Sequence, residues 1–233
     1  MSDRSKLERL ASKYGTDKHG SHYYMQHYAR YFERFRKQPV HVLEIGIGGY
    51  QDPNAGGSSL RMWRDYFPYG QIYGLDVFPK SGLEEDRIHI LQGSQVDARD
   101  LARVLDAAGG AQYDIIIDDG SHENDHVILT FKMLFPHLKT GGVYAIEDVQ
   151  TSYWPKYGGT SADFNDILTT MGYFKRLADG LNWVEYDRPG YIARDTDNSI
   201  IGLHFHHNII FIEKGDNSEP SNIVNNNRFQ LET

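Results

Sequence analysis

Acidic side chains follow two apolar segments at the points where predicted strands would end. Asp118 and Asp119 close the segment QYDIIIDDG, and Glu147 and Asp148 close the segment GGVYAIEDV. Neighbouring strands lie about 4.8 Å apart, so these carboxylates would converge at one edge of a sheet. Such a cluster is costly unless a cation sits within it. Because the chain has no cysteine, oxygen ligands favour Mg²⁺, with Mn²⁺ or Ca²⁺ as alternatives.

Because side chains alternate between the two faces of a strand, these acids are expected to have different roles. Since successive residues point to opposite faces, Asp118 and Asp119 cannot both face one metal easily. Asp119 is nearer to the loop and is the better ligand, whereas Asp118 is expected to support it or to cap the next helix. Glu147 and Asp148 lie where the strand gives way to a loop, so both can turn inward. We therefore predict metal ligands at Asp119, Glu147 and Asp148, the alternative being acids that only cap helix N-termini.

A glycine-rich segment, LEIGIGGY, follows the first predicted strand, where open α/β sheets bind ligands. A dinucleotide site is disfavoured because Gln51 stands where the third glycine of G-x-G-x-x-G belongs. A phosphate-binding loop is disfavoured because no Gly-Lys-Ser/Thr follows. Glu44 before Gly46 and Gly48 instead predicts a site for S-adenosylmethionine (SAM), because a carboxylate suits the ammonium and sulfonium charges of SAM.

Two later strand ends favour the same cofactor. Asp76 ends the second predicted strand, where a carboxylate can accept both ribose hydroxyls of SAM, although a strand-end acid without this role is the alternative. Ser94 and Gln95 follow the third strand, and their polar groups could meet the adenine edge. For Gln95 a purely structural role is the alternative.

His122 would lie beside both the metal and the methyl group of SAM. It follows Asp119 by three residues, at the start of the next predicted helix. A lone histidine is more often structural, but imidazole is well matched to proton removal at neutral pH, and a hydroxyl on a metal loses its proton more readily. We therefore predict His122 as the general base of a methyl transfer, with His126 as the fallback.

Short apolar strands alternate with amphipathic helices along most of the chain. Strands are predicted at 40–46, 71–77, 87–93, 112–120 and 141–149, and helices at 58–67, 97–108, 122–138 and 163–179. This alternation predicts an α/β fold with a parallel sheet, and residues 200–215 predict an antiparallel hairpin at its edge. Helical patterns at 3–13 and 22–37 come before the sheet, and the aromatic stripe of the second is expected in the core.

Composition limits the classes of protein that this chain could be. Its 233 residues are 39% hydrophobic and 24% charged, which is typical of a soluble globular domain. The net charge of −8 disfavours a nucleic-acid partner, because phosphate binding needs a basic surface. No apolar run is long enough for a membrane span, and the N-terminus lacks the apolar part of a signal peptide, so a cytoplasmic enzyme is expected.

The motifs together resemble the metal-dependent, SAM-dependent sugar O-methyltransferases of macrolide and anthracycline-like pathways, the mycinamicin, macrocin and rhamnosyl O-methyltransferases. The segments that carry the resemblance are LASKYGTDKHGSHYY (10–24), VLEIGIGGY (42–50), GGSSLRMW (56–63), IIIDDGSH (115–122), AIEDVQTSYW (145–154) and NIIFIEKG (208–215). The pairing of IIDDGSH with AIEDVQ is more specific than the glycine loop. The resemblance implies the class I SAM-methyltransferase fold, a Rossmann-like, doubly wound sheet with N-terminal helices.

The resemblance also implies roles for single residues. In that family the second aspartate of DDGSH and the Glu-Asp pair hold Mg²⁺, which here are Asp119, Glu147 and Asp148. The histidine of DDGSH, here His122, accepts the proton of the sugar hydroxyl. The acid of the glycine loop and the acid of the second strand, here Glu44 and Asp76, contact SAM, and Asp119 is expected to contact SAM as well.

The YGTDK segment lies over the cofactor in such enzymes. The resemblance therefore implies cofactor or lid contacts for Tyr14, Thr16 and Lys18. We expect the chain to comprise an N-terminal helical segment (1–38) that acts as a lid or subunit contact, a SAM-dependent methyltransferase domain (39–215) and a polar C-terminal tail (216–233). A homo-oligomer, dimer or tetramer, is expected.

The acceptor pocket is the least determined part of the expected site. Some members of the family carry a large additional N-terminal domain, whereas this chain starts almost directly at the helix before YGTDK. Tyr153, Trp154 and Tyr157 in the 150–162 loop are predicted to cover a sugar, and packing of the loop alone is the alternative. The expected acceptor is a glycosylated natural product or a small rhamnose- or mannose-type saccharide. A catechol-type diol as acceptor, or a non-catalytic SAM-binding module, is the alternative function.

Overall fold

A seven-stranded sheet is the centre of the molecule, for which a computed structural model describes residues 3–110, 112–221, 224–225 and 228–229. Its strands are β1 (His41–Ile45), β2 (Gln71–Asp76), β3 (Ile88–Gln92), β4 (Tyr113–Asp118), β5 (Leu138–Glu147), β6 (Ile200–His206) and β7 (Ile209–Lys214). They lie in the order β3-β2-β1-β4-β5-β7-β6. The first five strands run parallel, while β7 pairs antiparallel with both β5 and β6. The predicted parallel sheet with an antiparallel C-terminal hairpin is confirmed.

Helices cover both faces of this sheet. The α-helices are α1 (Asp3–Tyr14), α2 (Met25–Phe32), α3 (Ser58–Tyr66), α4 (Ala98–Ala107), α5 (Asn124–Leu134), α6 (Thr170–Leu177) and α7 (Asp195–Ser199). Short 3₁₀ helices span Glu33–Phe35, Ser81–Leu83, Phe135–His137, Val149–Tyr153, Pro155–Tyr157 and Ala178–Glu185. Among the described residues, no helix combines the length and the apolar character that a membrane crossing requires.

The alternation of side chains along the strands divides the core into two apolar clusters. On β4, Ile115 and Ile117 belong to the cluster under α1, α2 and α3, whereas Ile116 belongs to the cluster under α4, α5 and α6. Buried parallel strands are expected to be apolar on both faces, which explains the continuous run of isoleucines. The fold is therefore doubly wound.

The N-terminal helices share the core of the sheet. The aromatic stripe of α2 and the turn after it is buried, as predicted, and Tyr28 and Phe32 have no exposed surface. The ring centroid of Tyr28 lies 5.0 Å from that of Trp63 on α3 and 5.4 Å from that of Phe211 on β7. The second N-terminal helix is thus packed against the sheet, and the role of the segment 1–38 as a lid or subunit contact stays a prediction.

The predicted helix over residues 163–179 is wrong in its first half. The side chains of Asp163 and Asp166 accept hydrogen bonds from the backbone N–H groups of Asn165 and Leu168, two residues further on in each case. Such local bonds compete with the helical ladder. Thr169 then caps the N-terminus by accepting from the Gly172 N–H, so α6 begins only at Thr170.

The start of the predicted C-terminal tail is attached to the rest of the fold by hydrogen bonds. The side-chain amide of Asn217 donates to the carbonyl oxygens of Gly180, Leu181 and Asp197. Further along, β8 (Val224–Asn225) pairs antiparallel with β9 (Arg228–Phe229). The rest of the tail after Ser221 lies outside the described residues.

Candidate functional site

The carboxyl ends of β1, β2, β4 and β5 form the edge of the sheet at which the candidate residues meet. β1 lies between β2 and β4, so the strand order reverses there. Ile45 pairs with Asp118, and Asp118 pairs with Ile146, which brings the three strand ends level. Open α/β sheets bind ligands at such a switch point. The residues of the glycine loop and of both acidic pairs therefore lie at this edge.

The glycine loop after β1 is in contact with the loop after β4. Gly46 has a φ of +85°, and a Cβ atom on it would lie 2.0 Å from the carbonyl oxygen of Asp119. The Asp119 N–H also donates to the carbonyl oxygen of Ile45, at 2.9 Å. Gly48 has a φ of +75° and more open surroundings. Only glycine at position 46 allows both this backbone conformation and this approach.

Asp76 is held at the switch point by backbone amides. The N–H of Ile47 donates to its Oδ2 and the N–H of Phe78 donates to its Oδ1, both at 2.9 Å. The carboxylate is half-buried and tied to the glycine loop. This position agrees with a ribose contact, which stays a prediction.

Gln95 is buried and its amide is used within the protein. Its Nε2 donates to Asp118 Oδ1 at 3.3 Å and to Thr130 Oγ1 at 3.0 Å, and its Oε1 accepts from the Ser121 N–H at 2.7 Å. These bonds fix the loop after β4, which is the structural alternative considered for Gln95. Ser94 is half-buried, with its hydroxyl accepting from the Val96 N–H at 3.3 Å. Contacts of either side chain with a cofactor stay predictions.

Glu44 lies on β1, two residues before Gly46, and is fully buried. The indole N–H of Trp63 donates to its Oε2 at 2.7 Å, and its Oε1 lies 3.3 Å from Lys18 Nζ. That Oε1 has no hydrogen-bond partner among the described residues. Burial raises the pKa of Glu44, against the lowering effect of Lys18. The predicted contact of Glu44 with SAM stays a prediction.

Lys18 forms ion pairs with acidic residues at the ends of the strands. Its ammonium lies 2.6 Å from Asp119 Oδ2 and 2.7 Å from Glu147 Oε1, and the side chain is 1% exposed. Burial opposes the charged form, but the neighbouring carboxylates outweigh burial and raise the pKa of Lys18 well above its usual value. The hydroxyl of Tyr28 donates to the same oxygen of Glu147. Sequence reasoning assigned Lys18 only to a cofactor or lid contact, because nothing in the spacing relates it to acids 101 and 129 residues further along.

One Lys18 ammonium does not neutralise this cluster. Burial and the neighbouring Asp119 carboxylate raise the pKa of Glu147 well above its usual value, although Lys18 and Tyr28 act in the opposite direction. Burial is the larger of the two causes, and the ion-pair distances show three carboxylates, those of Glu44, Asp119 and Glu147, around one ammonium. The carboxylate set is therefore suited to a further cation.

Asp119, His122 and Asp148 each offer a ligand atom, and these atoms lie within 4.8 Å of one another. Two carboxylates and an imidazole fit a divalent cation such as Mg²⁺ or Mn²⁺. The third predicted ligand, Glu147, is outside this group, and its Oε1 accepts from Lys18 and Tyr28. Its role as a metal ligand stays a prediction, as do the roles of Asp119 and Asp148.

Asp148 is surrounded by side chains that sequence reasoning missed. The Tyr24 hydroxyl donates to its Oδ1 at 2.7 Å, and His22 Nδ1 lies 3.6 Å from the same oxygen. On the other side, His122 Nε2 lies 3.7 Å from Asp148 Oδ2. The available signal was the polar and aromatic segment HGSHYY next to YGTDK, but only the fold brings it to β5. The fallback base, His126, points to Ser121, with 2.9 Å between its Nδ1 and the Ser121 hydroxyl.

The loop after β5 contains the three residues that are predicted to contact the acceptor. Tyr153 is 38% exposed and Trp154 is 49% exposed, while Tyr157 is half-buried with its ring centroid 6.0 Å from that of Trp154. Aromatic side chains of this size are available to a ligand because they are not packed into the core. Contact with a sugar stays a prediction for all three.

Asn124, which the sequence did not single out, fixes that loop. It is 1% exposed at the start of α5. Its Nδ2 donates to the carbonyl oxygens of Thr151 at 3.2 Å and Tyr157 at 2.7 Å, and its Oδ1 accepts from the Thr170 N–H at 2.7 Å. One amide thus connects α5, the loop and α6.

The other residues of YGTDK have different surroundings. Thr16 is buried, and its hydroxyl accepts from the Lys18 N–H at 3.4 Å. The Tyr14 hydroxyl donates to the carboxylate of Asp65 at the end of α3 and accepts from Lys13 at 2.8 Å. These bonds connect α1 with α3, and cofactor contacts of Tyr14 and Thr16 stay predictions.

Comparisons with known proteins give relatives over most of the chain, although no protein-family model matches it. The 8-demethyl-8-(2-methoxy-alpha-L-rhamnosyl)-tetracenomycin-C 3'-O-methyltransferase of Streptomyces olivaceus is 48% identical over 215 residues, which cover 91% of this chain and 55% of that protein. The mycinamicin VI 2''-O-methyltransferase of Micromonospora griseorubida is 47% identical over 219 residues, which cover 91% of this chain and 53% of that protein. The chain thus spans about half the length of the curated relatives that it matches.

A solved structure shares both the sequence and the fold. The MycE methyltransferase from the mycinamycin biosynthetic pathway, in complex with Mg, SAH and mycinamycin VI, is 45% identical with a TM-score of 0.87. The match covers 94% of this chain and 56% of that one. With its switch-point site on a class I SAM-methyltransferase sheet, the chain belongs to the same family as these sugar O-methyltransferases.

Proposed function

We propose that this protein transfers the methyl group of SAM to a hydroxyl group of a sugar, with Mg²⁺ as the metal. The observation that supports this most directly is the meeting of Asp119, His122 and Asp148 beside the glycine loop. It combines a site for a cation and a group that can accept a proton. Relatives at 47% and 48% identity are named as O-methyltransferases of glycosylated natural products.

The donor would bind across the carboxyl ends of β1, β2 and β4. SAM supplies the methyl group on a sulfonium, whose positive charge the neighbouring carboxylates favour. Gly46 and Gly48 let the backbone approach it closely, and Asp76 would accept the ribose hydroxyls. Glu44 would contribute its charge from β1.

The metal would be held by Asp119 and Asp148, with Glu147 as the third carboxylate. A divalent cation supplies a positive charge that lowers the pKa of a neighbouring hydroxyl group. Mg²⁺ prefers oxygen ligands, so we assign His122 to proton removal instead of coordination. Asp148 Oδ2 lies 3.7 Å from His122 Nε2, so the imidazole that would remove the proton stands beside the proposed metal ligand.

The acceptor would lie between this site and the loop after β5. Tyr153, Trp154 and Tyr157 would cover the sugar and exclude water from the transfer. The names of the relatives describe methylation at 2', 3' and 2'' positions, so the family is not restricted to one hydroxyl. A homo-oligomeric enzyme in the cytoplasm completes the proposal.

Calorimetric titration with S-adenosylhomocysteine is the first test of this function. We expect micromolar binding, followed by Mg²⁺-dependent methylation when SAM and a panel of rhamnosylated glycosides are added. EDTA should abolish the turnover. Absence of binding at millimolar S-adenosylhomocysteine would contradict the proposal, and turnover restricted to aromatic diols would contradict its sugar acceptor.

The Asp119→Asn variant tests the metal role separately. The amide keeps the size of the side chain but removes the charge that a cation needs, so Mg²⁺-dependent turnover should be lost while S-adenosylhomocysteine still binds within about threefold of the parent affinity. Asp114→Asn is the matched control, because Asp114 pairs with Lys139 away from the site. Full activity of Asp119→Asn would show that the metal is held elsewhere.

A further inference from the structure

Lys18 is a charged side chain buried among acids that come from the ends of three strands. It lies in the loop between α1 and α2 and is 1% exposed. Its ammonium lies 2.6 Å from Asp119, 2.7 Å from Glu147 and 3.3 Å from Glu44. Lysine is seldom fully buried unless it is paired, so its position is set by these carboxylates.

The carboxylates need a cation even when no metal is bound. Glu44 and Glu147 have 0% and 4% exposed surface, so water cannot screen them. Removing one partner of a buried ion pair leaves an uncompensated charge, which destabilises a protein strongly. Lys18 supplies that partner to three acids at once.

Through the same contacts, Lys18 competes with a second cation for these carboxylates. Its ammonium occupies oxygens of Asp119 and Glu147, which are two of the proposed metal ligands. Like charges that share a site disfavour each other. A metal that binds these acids would therefore have to do so beside a fixed positive charge.

We propose that Lys18 is a resident counter-ion of the metal site: it holds Glu44, Asp119 and Glu147 together in the metal-free protein and weakens divalent cation binding there. The inference rests on the proposed function, because it assumes that Asp119 and Glu147 face a metal. Lys18 is a positioning residue. It keeps the site assembled before the metal enters and keeps the metal exchangeable afterwards.

The Lys18→Met variant tests both parts without an activity assay. Methionine is unbranched like lysine but has no charge. In EDTA-treated protein we expect the melting temperature to fall by about 10 °C, because the buried Glu44 and Glu147 and the half-buried Asp119 lose their cation. In the same variant, the Mg²⁺ dissociation constant should decrease by about tenfold, because the competing charge is gone.

Lys80→Met is the matched control. Lys80 is also fully buried, but its ammonium donates to the carbonyl oxygens of Asp52 and Ala55 in the loop before α3. Its loss should lower the melting temperature without tightening Mg²⁺ binding. The pair of variants thus separates loss of a buried lysine from loss of a counter-ion.

The double variant Lys18→Met/Glu44→Gln keeps the test decisive if Lys18→Met fails to fold. Removing one acid together with the cation should raise the melting temperature above that of Lys18→Met, or restore a melting transition if Lys18→Met has none, which a merely structural role of Lys18 does not predict. Unchanged or weaker Mg²⁺ binding in a folded Lys18→Met variant, or no recovery in the double variant, would overturn the inference. If the parent protein binds neither Mg²⁺ nor S-adenosylhomocysteine, the proposed function fails instead, and the metal-free melting temperatures still decide the role of Lys18.

Discussion

At the scale of single residues, His122 and Asp148 have a backbone conformation that is uncommon for residues other than glycine, although aspartate and histidine adopt it more often than most. Their φ angles are +59° and +53°, in the left-handed region. Such residues cost of the order of 1–3 kcal/mol each and cluster at functional sites. The conformation turns the imidazole and the carboxylate toward each other after two different strands. The strain is therefore associated with the proposed proton transfer.

His122→Asn tests this residue with little change in backbone strain. Asparagine tolerates a positive φ but cannot remove a proton at neutral pH, so kcat should fall by roughly 10² to 10⁴ while S-adenosylhomocysteine binding persists. Steady-state kinetics and calorimetry give the two quantities. His126→Asn is the control and should keep its rate; if only this control loses activity, the base is His126.

Single residues also show what sequence can and cannot predict. The acids at strand ends and His122 were predicted as site residues because strand ends and loops have recognisable patterns, and the structure brings Asp119, His122 and Asp148 together. Lys18, His22 and Asn124 carry no such pattern, since their partners lie on elements that are distant in sequence. Glu44 was predicted as a cofactor contact from the acid and glycines of its loop, which stays a prediction, whereas no spacing rule gives its hydrogen bond from the Trp63 indole.

At the scale of elements, Asn124 determines the position of the loop after β5. Its replacement by alanine would leave the buried N–H of Thr170 and the carbonyl oxygens of Thr151 and Tyr157 without this partner. We expect Asn124→Ala to lower the free energy of unfolding by about 2–3 kcal/mol. The KM for the acceptor should rise more than the dissociation constant of S-adenosylhomocysteine.

Chemical denaturation and acceptor kinetics check this prediction. The exposed Asn182→Ala is the control, and its unfolding free energy should change by less than about 0.5 kcal/mol. A parent-like KM in Asn124→Ala would mean that the loop does not contact the acceptor.

An ion-pair network attaches α1 to α3 and gives a pH-dependent prediction. Burial acts to raise the pKa of Asp65, but hydrogen bonds from Tyr14, Lys13 and Arg64 outweigh it and lower that pKa to about 2, from an ordinary value of 3.8. The network therefore stabilises the fold fully above pH 3.8 and loses this effect as the pH falls through about 2.

Asp65→Asn should lower the unfolding free energy by about 1 kcal/mol at pH 7. Urea unfolding from pH 7 down to pH 3 should show the difference from the parent shrinking toward the acid end. Asp86→Asn is a suitable control because Asp86 is 93% exposed. A difference that stays constant over this range would assign the stabilisation to packing of α1.

The predicted elements differ from the observed ones mainly where side chains bond to the nearby backbone. Strand positions follow from runs of apolar residues and were confirmed. Residues 163–169 have enough apolar side chains for a helix, but Asp163, Asp166 and Thr169 bond locally and delay α6. The 3₁₀ helices between Val149 and Tyr157 depend on Asn124, and a local pattern cannot contain that information.

At the scale of the whole molecule, the N-terminal helices and the sheet share one apolar core. Tyr28 and Phe32 are buried between Trp63 and Phe211, and Lys18 lies in the preceding loop. Deleting residues 1–38 should expose this apolar cluster and remove the cation of the acidic site. We expect residues 39–233 alone to show no cooperative thermal transition by circular dichroism.

Mg²⁺ and S-adenosylhomocysteine should not restore that transition. The full chain, measured in the same buffer, is the reference. A shortened chain that melts cooperatively near the parent temperature would show that the N-terminal helices are an accessory lid.

Some residues that contact each other at the site lie far apart in the sequence, and this distance affects how the protein folds. Lys18 contacts acids that follow it by 101 and 129 residues, and β7, at Ile209–Lys214, inserts between β5 and β6 late in the sequence. Contacts between distant residues slow folding, because long loops must close before such contacts are made. During synthesis, β5 leaves the ribosome well before its antiparallel neighbour exists. The nascent chain therefore has an unpaired, strongly apolar sheet edge for the time that about 60 residues take to be made, and that interval is when it is most exposed to aggregation.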